Sequence, residues 1–405
     1  MITPSFALTA TERVLPKLAL DFTTANLDSR VTFTRTTDAT NPATYTNSSG
    51  YVTAATNNQP RFDYNPVTLV CKGLLIEESR SNLMKYSDQF NDGVWGKAGV
   101  TISQDVIVSP NGTSNGDKFI INNGSSGVYI VQTTPIVSGT SYTFTVYAKA
   151  GEATQFILLG QSGGFGSGIV ATYDLSAGTV SGYSTATITN VGNSWYRCSI
   201  TATATTTTTD GFQIRQQNVT GDGFKGFYIW GAQLEAGAFA TSYIPTTTTV
   251  LTRNADVATM TGTNFSDWWT ATTGAVKTAV IPSTISGTRP LIQFDDNTAT
   301  NQICLRGNSA NPELYIKATT DQSQIDAGTI VANTAYKLSG AWNTNNCAAA
   351  QNGASPVTDS SATIPTVTQA RIGSDGTNYA NAWIQKISYW PQRLINAEVQ
   401  AFSKI

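Results

Sequence analysis

The 405-residue chain contains no histidine. This absence excludes Ser-His-Asp and Cys-His catalysis, zinc sites with histidine ligands, and any pH switch that depends on an imidazole. The acid–base chemistry that remains is a pair of carboxylates, as in glycosidases or lyases. An enzymatic function would therefore require two Asp or Glu side chains placed across one cleft.

Charged residues are also scarce, at 12% of the chain against about 25% in an average soluble protein. The 24 basic residues are scattered among 26 acidic ones, so no basic patch predicts a nucleic-acid partner. Membrane insertion is not expected, because the sequence has no apolar run of the length that spans a bilayer. Residues 1–7 lack the basic stretch and apolar core of a secretory signal, so none is predicted.

The four cysteines, Cys71, Cys198, Cys304 and Cys347, are far apart and none belongs to a Cys-x-x-Cys motif. This spacing excludes a zinc ribbon and a thioredoxin-like redox motif. Cys304 and Cys347 fall in one predicted domain, which leaves a disulfide open. A protein made in a reducing cytosol more often keeps such thiols free and buried, and we expect free thiols.

Threonine, asparagine, serine and glycine fill the polar positions instead of charged residues. Threonine is β-branched and fits a pleated surface, whereas asparagine and glycine serve tight turns. Few stretches show a helical period. The composition therefore predicts an all-β protein, and the length suits two or three domains.

One strand of the sequence, in residues 223–245, has bulky side chains on both faces. Phe227 and Ile229 alternate with Tyr228 and Trp230, which predicts a strand that lies between two covered surfaces, as in a β-sandwich. Gly237 predicts the turn that follows it.

The pattern of strands and turns divides the chain into three segments. Residues 1–85 form a small N-terminal β region that serves as an attachment or connector element. Residues 86–245 form a jelly-roll sandwich, and residues 251–405 form a second sandwich after a Thr-rich hinge. The last stretch, 391–405, is the one predicted helix, with Pro391 in its first turn.

Several motifs resemble those of bacteriophage structural proteins. The first segment contains, in order, VTFTR (31–35), QPRFDY (59–64) and GLLIEESRSNL (73–83). The middle segment, with SGTSYTFTVYAK (138–149), DLSAGTV (174–180) and WYRC (195–198), resembles a carbohydrate-binding jelly roll of phage tail fibres. The third segment resembles a laminin-G or concanavalin-like sandwich that ends in SYWPQRLINAE (388–398).

The resemblance implies a virion surface protein, either a tail fibre, a receptor-binding protein or a head fibre, that binds the surface polysaccharide of its host. It further implies a homo-oligomer, expected as a trimer, that contacts other virion proteins and is located in the virion after assembly in the host cytoplasm. The alternative is a capsid or tail decoration or cement protein, which uses the same modules without binding a glycan.

A polysaccharide depolymerase is the third possibility, and we expect that the chain is not an enzyme. Depolymerising tailspikes tend to consist of β-helices, and no short repeated coil is found here. Glu77 and Glu78 are adjacent on a strand and point to opposite faces, so they cannot flank one bond. No catalytic residue is predicted.

Sugar binding needs flat aromatic faces together with amides or charged groups that bond hydroxyls. By analogy with the fold, Tyr129, Gln132, Gln213 and Arg215 are predicted to line one open sheet face. Phe165 lies in a loop of small residues and is predicted to be accessible. These five residues are the candidate carbohydrate-binding site.

Two further groups of residues have a structural interpretation. The strand tryptophans are expected in the core: Trp195, Trp230, Trp342, Trp383 and Trp390. Asp295 and Asp296 leave open a calcium site of the laminin-G type, but adjacent aspartates are common in turns without metal. No metal site and no cofactor is predicted.

Overall fold

A computed structural model describes residues 15–124, 127–216 and 220–405 of the chain. The structure is all-β with two β-sandwiches, which confirms the fold class predicted from the composition. Residues 1–7, where no secretory signal is predicted, lie outside the described residues. Within the described ranges, no helix is both long enough and apolar enough to cross a membrane.

The N-terminal strands are short. They are β1 (Leu18–Asp21), β2 (Thr32–Thr34), β3 (Thr44–Thr46), β4 (Val52–Ala54), β5 (Phe62–Tyr64), β6 (Cys71–Ile76) and β7 (Arg80–Asn82), with a 3-10 turn at Phe22–Thr24.

The middle segment folds into a β-sandwich of two 6-stranded sheets. Its elements are β8 (Gly96–Ala98), β9 (Val100–Ile107), β10 (Gly116–Ile121), β11 (Tyr129–Val131), β12 (Thr134–Ile136), β13 (Ser141–Lys149), β14 (Gln155–Gly160), α1 (Ser162–Phe165), β15 (Val170–Asp174), β16 (Thr179–Gly182), β17 (Thr187–Asn190), β18 (Trp195–Thr203), β19 (Thr208–Asp210), β20 (Phe212–Gln216) and β21 (Gly226–Ala236). Sheet I has the order β17-β18-β13-β21-β10-β9, and sheet II has the order β16-β15-β14-β20-β11-β8.

The last segment supplies most of the second sandwich. Its elements are β22 (Leu251–Arg253), β23 (Val257–Thr261), α2 (Thr263–Ser266), β24 (Gly274–Pro282), β25 (Thr288–Asp295), β26 (Asn301–Asn308), β27 (Asn311–Ala318), β28 (Thr320–Asp326), β29 (Tyr336–Trp342), β30 (Cys347–Gln351), β31 (Val357–Asp359), β32 (Gln369–Ile372), β33 (Ala382–Trp390) and α3 (Asn396–Phe402). Sheet III has the order β2-β23-β32-β25-β26-β27-β28, and sheet IV has the order β31-β30-β29-β24-β33-β6-β5, with β1 also on β33.

Strands from the N-terminal region complete both sheets of the second sandwich. In sheet IV, Leu18 of β1 lies opposite Tyr389, and Leu74 of β6 lies opposite Ile384. In sheet III, Phe33 of β2 lies opposite Ala258. Leu18, Leu74 and Phe33 are buried in the core between these sheets. The predicted N-terminal region thus joins the sandwich that the last segment forms.

The core of the first sandwich is made by inward side chains of alternating residues in sheets I and II. Phe156 of β14 stacks on Phe227 of β21 with ring centroids 5.2 Å apart, and Phe144 of β13 stacks on Phe212 of β20 at 5.6 Å. In each pair, one ring belongs to sheet I and the other to sheet II. Burial of one such side chain contributes about 1.5–3 kcal/mol, so these pairs fix how the sheets face each other.

Strand β21 has both faces covered, as the sequence predicts. Phe227 and Ile229 lie in the core between sheets I and II, whereas Trp230 packs on the outer side with Tyr147 and Tyr243. Gly237 ends the strand with φ at +137°, and a Cβ there would lie 1.5 Å from Nη1 of Arg80. Only glycine fits this turn, which directs the following segment, 238–243, back across sheet I.

The C-terminal helix is shorter than predicted. Helix α3 begins at Asn396, five residues after Pro391, and the carboxylate of Glu398 accepts a hydrogen bond from the backbone N–H of Ile395 at 3.0 Å. The expected apolar contacts are present, because Phe402 stacks on Trp390 with ring centroids 4.8 Å apart. Pro391 alone therefore does not indicate the residue at which the helix begins.

The four cysteines are free and buried, so Cys304 and Cys347 do not pair. This confirms the expectation of free thiols. Burial raises the pKa of the Cys347 thiol to about 11. A thiol with such a pKa is a small apolar packing group at neutral pH rather than a nucleophile.

Candidate functional site

A buried cluster of charged groups joins the two sandwiches. Nη1 of Arg61 lies 2.7 Å from Oε2 of Glu77, and Nη1 of Arg253 lies 3.2 Å from the same oxygen. Asp256 accepts from Arg61 and, at 2.6 Å, from Nη1 of Arg35. Although burial would raise the pKa of Glu77, the charges of Arg253 and Arg61 lower it to about 2. Ser242 of the middle segment bonds to Arg61, Glu77 and Arg253, so the cluster connects the N-terminal strands and the last segment to the first sandwich.

The same cluster borders a large cleft in the described part of the chain, with a volume of about 660 Å³. The cleft lies between the outer face of sheet I and the N-terminal strands, and segment 238–243 forms part of its wall. The residues that line it include Asp63, Lys72, Glu77, Thr185, Thr187, Thr189, Arg197, Ser199, Thr201 and Trp383. Its volume falls within the range of ligand pockets, about 300–1,000 Å³.

Three side chains form one corner of the cleft. The ammonium of Lys72 lies 2.9 Å from the centroid of the Trp383 ring and 3.4 Å from Oδ2 of Asp63. The indole N–H of Trp383 donates to Oδ2 of Asp63 at 2.8 Å. Asp63 also accepts from the backbone N–H of Thr46 at 2.6 Å. These contacts hold the Trp383 ring at the surface of the cleft, where the side chain is half-buried.

The strand tryptophans are otherwise buried as predicted. Trp195, Trp230, Trp342 and Trp390 lie in cores. The expectation is wrong for Trp383, which lines the cleft. Its neighbour in sheet IV is Leu75 of the N-terminal strand β6, and the cleft exists because that strand joins the sheet.

Arg197 of β18 presents a partly unpartnered guanidinium to the cleft. Its Nη2 donates to the carbonyl of Thr241 at 2.7 Å, and its Cζ lies 5.6 Å from the centroid of the Tyr147 ring. Nε is buried without a partner. Nη1 has no hydrogen-bond partner, and Arg197 has no ion-pair partner, in the parts of the chain that the structure describes. The guanidinium is held in place and keeps donors available.

A row of hydroxyl groups covers the sheet I side of the cleft. Thr187 Oγ1 and Ser199 Oγ are 2.8 Å apart across β17 and β18, and Thr185 Oγ1 donates to the carbonyl of Thr201 at 2.6 Å. Thr189 continues the row on β17 next to Arg197. Because strand side chains alternate, these hydroxyls share one face while Ile188 and Cys198 point to the core. A hydroxyl both donates and accepts, so the row suits a ligand rich in hydroxyls.

Three of the five predicted carbohydrate-binding residues meet on the outer face of sheet II, away from the cleft. Tyr129 lies opposite Arg215 across β11 and β20, and Gln213 is two residues along from Arg215. On the neighbouring strand β14, Ile157 lies opposite Arg215 and Leu159 lies opposite Gln213. All are half-buried. The structure thus brings Tyr129, Gln213 and Arg215 together, and sugar binding by them stays a prediction.

The other two predicted residues do not reach this face. Gln132 is buried, where its Oε1 accepts from the Lys85 N–H at 2.7 Å and its Nε2 donates to the Lys85 carbonyl at 2.9 Å. Phe165 is 2% exposed, in contrast to the predicted accessible loop, and its ring centroid lies 4.6 Å from that of Phe212. The small residues next to Phe165 let α1 approach the sandwich closely. The ring is therefore buried by residues that are distant in sequence, such as Phe212.

In the described residues, Asp295 and Asp296 do not belong to a group of three or more acids or cysteines placed to hold a metal ion. The carboxylate of Asp295 accepts four hydrogen bonds, from Gln293, Asn297, Gln369 and Arg371. These donors occupy its lone pairs. Asp295 is therefore a structural acceptor at the end of β25.

Sequence patterns do not predict the cleft as a site. QPRFDY and GLLIEESRSNL, which contain or adjoin Asp63 and Lys72, have the pattern of connectors, and Trp383 has that of a core residue. The Asp63–Trp383 hydrogen bond joins residues 320 positions apart, and no local pattern indicates it. The one available signal is Arg197, an outward cation on a strand whose following outward residues, Ser199 and Thr201, are hydroxylated.

No protein-family model matches the sequence, and no curated protein matches it. Among solved structures, a carbohydrate-binding module (CBM40) of the Ruminococcus gnavus IT-sialidase, bound to α2,3-sialyllactose, is 12% identical over 34% of this chain and 84% of its own, with a TM-score of 0.30. The NanB sialidase of Streptococcus pneumoniae is 13% identical over 35% of this chain and 26% of its own, with a TM-score of 0.31. An SAP-like pentraxin from Limulus polyphemus is 16% identical over 33% of this chain and 70% of its own, with a TM-score of 0.26. At such TM-scores these similarities carry no weight for the function of this chain.

Proposed function

We propose that the chain is a carbohydrate-binding protein and that the cleft is its glycan site. The observation that carries the proposal is the composition of the cleft walls: a row of hydroxyls and the donors of Arg197 on sheet I line the same cleft as the aromatic ring of Trp383. Sugars combine ring C–H groups, which pack on aromatic faces, with hydroxyls that need both donors and acceptors. An apolar ligand would make no use of the remaining donor and acceptor capacity of these hydroxyls.

The proposed activity is binding without catalysis. Glycoside hydrolysis needs a carboxylic acid that keeps its proton near neutral pH and a second carboxylate across the bond. Glu77 is unsuited to the first role, because Arg253 and Arg61 lower its pKa to about 2. Asp63 already accepts from Thr46, Lys72 and Trp383. These two acids support the walls of the cleft.

We further propose that the protein acts on the surface of a bacteriophage particle, as a tail fibre or head fibre that binds host polysaccharide. The support is the order of motifs in residues 31–83 and the ending at 388–398, which resemble phage structural proteins. Identical copies in one particle, expected as trimers, turn weak single contacts into firm adhesion through effective concentration. A decoration protein without glycan binding is the competing function.

Glycan binding is tested with the purified full-length protein on an array of bacterial polysaccharides and by titration calorimetry on the ligands found. Thr189→Phe places a bulky ring on the exposed edge of the cleft, and we expect it to abolish binding. Thr358→Phe is the matched control, because Thr358 is likewise an exposed threonine on an edge strand, β31. Absence of binding to every glycan, or binding unchanged by Thr189→Phe, would refute the cleft as the site.

The virion location is tested separately by quantitative mass spectrometry of purified particles. A few tens of copies or fewer supports a fibre, whereas hundreds supports capsid decoration. Light scattering of the purified protein is expected to give the mass of three chains. A monomer at all concentrations would contradict a self-assembling trimer.

A further inference from the structure

We propose that the glycan bound in the cleft carries an oxyanion, a carboxylate or a phosphate ester, and that Arg197 pairs with it. This inference rests on the proposed carbohydrate-binding function and specifies the chemical class of the ligand. It follows from the charges that face the cleft and from the unused donors of one side chain.

The guanidinium of Arg197 is held at one side only. The carbonyl of Thr241 accepts from Nη2 at 2.7 Å, and the ring of Tyr147 lies beside Cζ at 5.6 Å. Arg197 lines the cleft, and its Nη1 has no hydrogen-bond partner among the described residues. Arginine N–H groups bind planar oxyanions with short, charge-assisted hydrogen bonds. A fixed guanidinium with a free donor is therefore ready to bind an anion at little entropic cost.

The charge of Arg197 is not balanced by a nearby acid. Two carboxylates line the cleft, Asp63 and Glu77. Glu77 is paired with Arg61 and Arg253 behind the wall, and Asp63 is paired with Lys72. Arg197 forms no ion pair in the described ranges. An uncompensated cation in a partly enclosed cleft favours a ligand that brings the missing negative charge.

Lys72 adds a second cation to the same space. Lys72 and Arg197 both line the cleft. Burial lowers the pKa of Lys72, Asp63 and Glu77 oppose this effect, and the charge of Arg197 lowers the pKa further. An oxyanion in the cleft would bring negative charge to both cations, while the sugar hydroxyls would meet Thr187 and Ser199, which lie beside Arg197 on the sheet I wall.

The inference is tested on the polysaccharide that the array identifies, in three forms: native, carboxyl-reduced with carbodiimide and borohydride, and dephosphorylated with aqueous hydrogen fluoride. The first treatment turns each carboxylate into a neutral hydroxymethyl group, and the second removes phosphate esters. We expect one of the two treatments to weaken binding to wild-type protein about 10- to 100-fold, the range of one charge-assisted hydrogen bond. The treatment that does so identifies the oxyanion.

Variants of Arg197 test whether this residue causes the loss of affinity for the neutral glycan. Arg197→Gln is expected to bind the native glycan as weakly as wild type binds the neutral form, whereas Arg197→Lys keeps part of the preference. The matched control is Lys317→Gln, which removes one positive charge from β27 in the other sandwich and is expected to change nothing.

Two results are distinguishable. If wild type binds all three forms equally, the oxyanion inference is overturned, but carbohydrate binding stands. If no form binds, the proposed function itself fails. Because the chemical treatments act on the ligand, a variant that does not fold leaves the test decisive.

Discussion

Arg61 and Glu77 form an ion pair closed off from solvent, with 2.7 Å between Nη1 and Oε2, and their side chains are 0% and 6% exposed. Arg61 precedes β5 and Glu77 follows β6, and both also bond to Ser242 of the middle segment and to Asp256 of the last segment. The pair therefore connects three parts of the chain that are distant in sequence. Its geometry sets the wall of the proposed glycan site.

Replacing Glu77 by Gln is expected to lower the free energy of unfolding by about 3–5 kcal/mol. The amide leaves Arg61 and Arg253 with less compensation in a buried site, and such loss of one partner is costly. The measurement is denaturant unfolding followed by circular dichroism. Glu152→Gln serves as control, because its pair with Lys118 is 36% exposed on the Glu152 side and should change stability by no more than about 1 kcal/mol. Equal effects of the two variants would contradict a special role of the buried cluster.

Because of Asp117 in β10, we expect the free energy of unfolding to fall as the pH rises toward neutrality. Burial raises the pKa of its carboxyl to about 6, with Asp105 and Asp88 adding to the effect while hydrogen bonds from the N–H groups of Asp105 and Phe90 oppose it. A carboxyl with a raised pKa in the folded state binds its proton more tightly than in the unfolded state. Its stabilising contribution is fully present below 3.8, the ordinary pKa of an aspartate, and is lost as the pH rises through about 6.

Between pH 5 and 7 we expect this group to cost about 1 kcal/mol of stability. Thermal unfolding of wild type and Asp117→Asn at both pH values gives the difference, because the amide does not titrate. A wild-type protein that shows the same change as Asp117→Asn would show that the carboxyl keeps an ordinary pKa. Carbon-13 NMR titration of Asp117 provides an independent value.

Trp383 predicts a spectroscopic signal of glycan binding. Its ring lines the cleft, whereas Trp195, Trp230, Trp342 and Trp390 are enclosed in cores. We expect added glycan to change the intrinsic fluorescence of wild type and not that of Trp383→Phe. The variant should bind about 2- to 10-fold more weakly, as expected for loss of an aromatic contact. If added glycan changed the fluorescence of Trp383→Phe as much as that of wild type, the signal would come from another tryptophan and the ligand would lie elsewhere.

The outer face of sheet II is expected to make a second, weaker glycan contact through Tyr129 and Arg215. Tyr129→Ala should lower the affinity for long polysaccharide about 2- to 10-fold. It should leave short oligosaccharides that fit the cleft unaffected. Calorimetry on both ligand lengths decides this, with Thr358→Phe as the control. Equal affinities for wild type and variant on long chains would remove this face from the site.

Local patterns in the sequence predict the strands well where both faces of a strand are filled. Strand β21 has its two covered faces as expected. The alternation of side chains and the residues of a turn are local properties of the sequence, so they can be read without knowing which strands pair.

The arrangement of strands could not be predicted in the same way. Leu18 lies opposite Tyr389, and Asp63 bonds to Trp383, each across more than 300 residues. Such pairs depend on which strand edges meet when the chain folds, and local sequence patterns do not encode this pairing. Phe165 shows the same limit at smaller scale, because Phe212 and Tyr142 cover a ring whose sequence neighbours are small.

The pairing of β7 with β22 has a consequence for how such a protein can change. Ser81 lies opposite Thr252, so the chain leaves the second sandwich and returns to it at one place. The middle segment is accordingly a domain inserted into one loop of the second sandwich. Domains whose two ends lie side by side are inserted or replaced with little disturbance of the surrounding fold. Replacement of the inserted domain during evolution would therefore change the hydroxyl-bearing wall of the cleft and leave the sheets of the second sandwich the same.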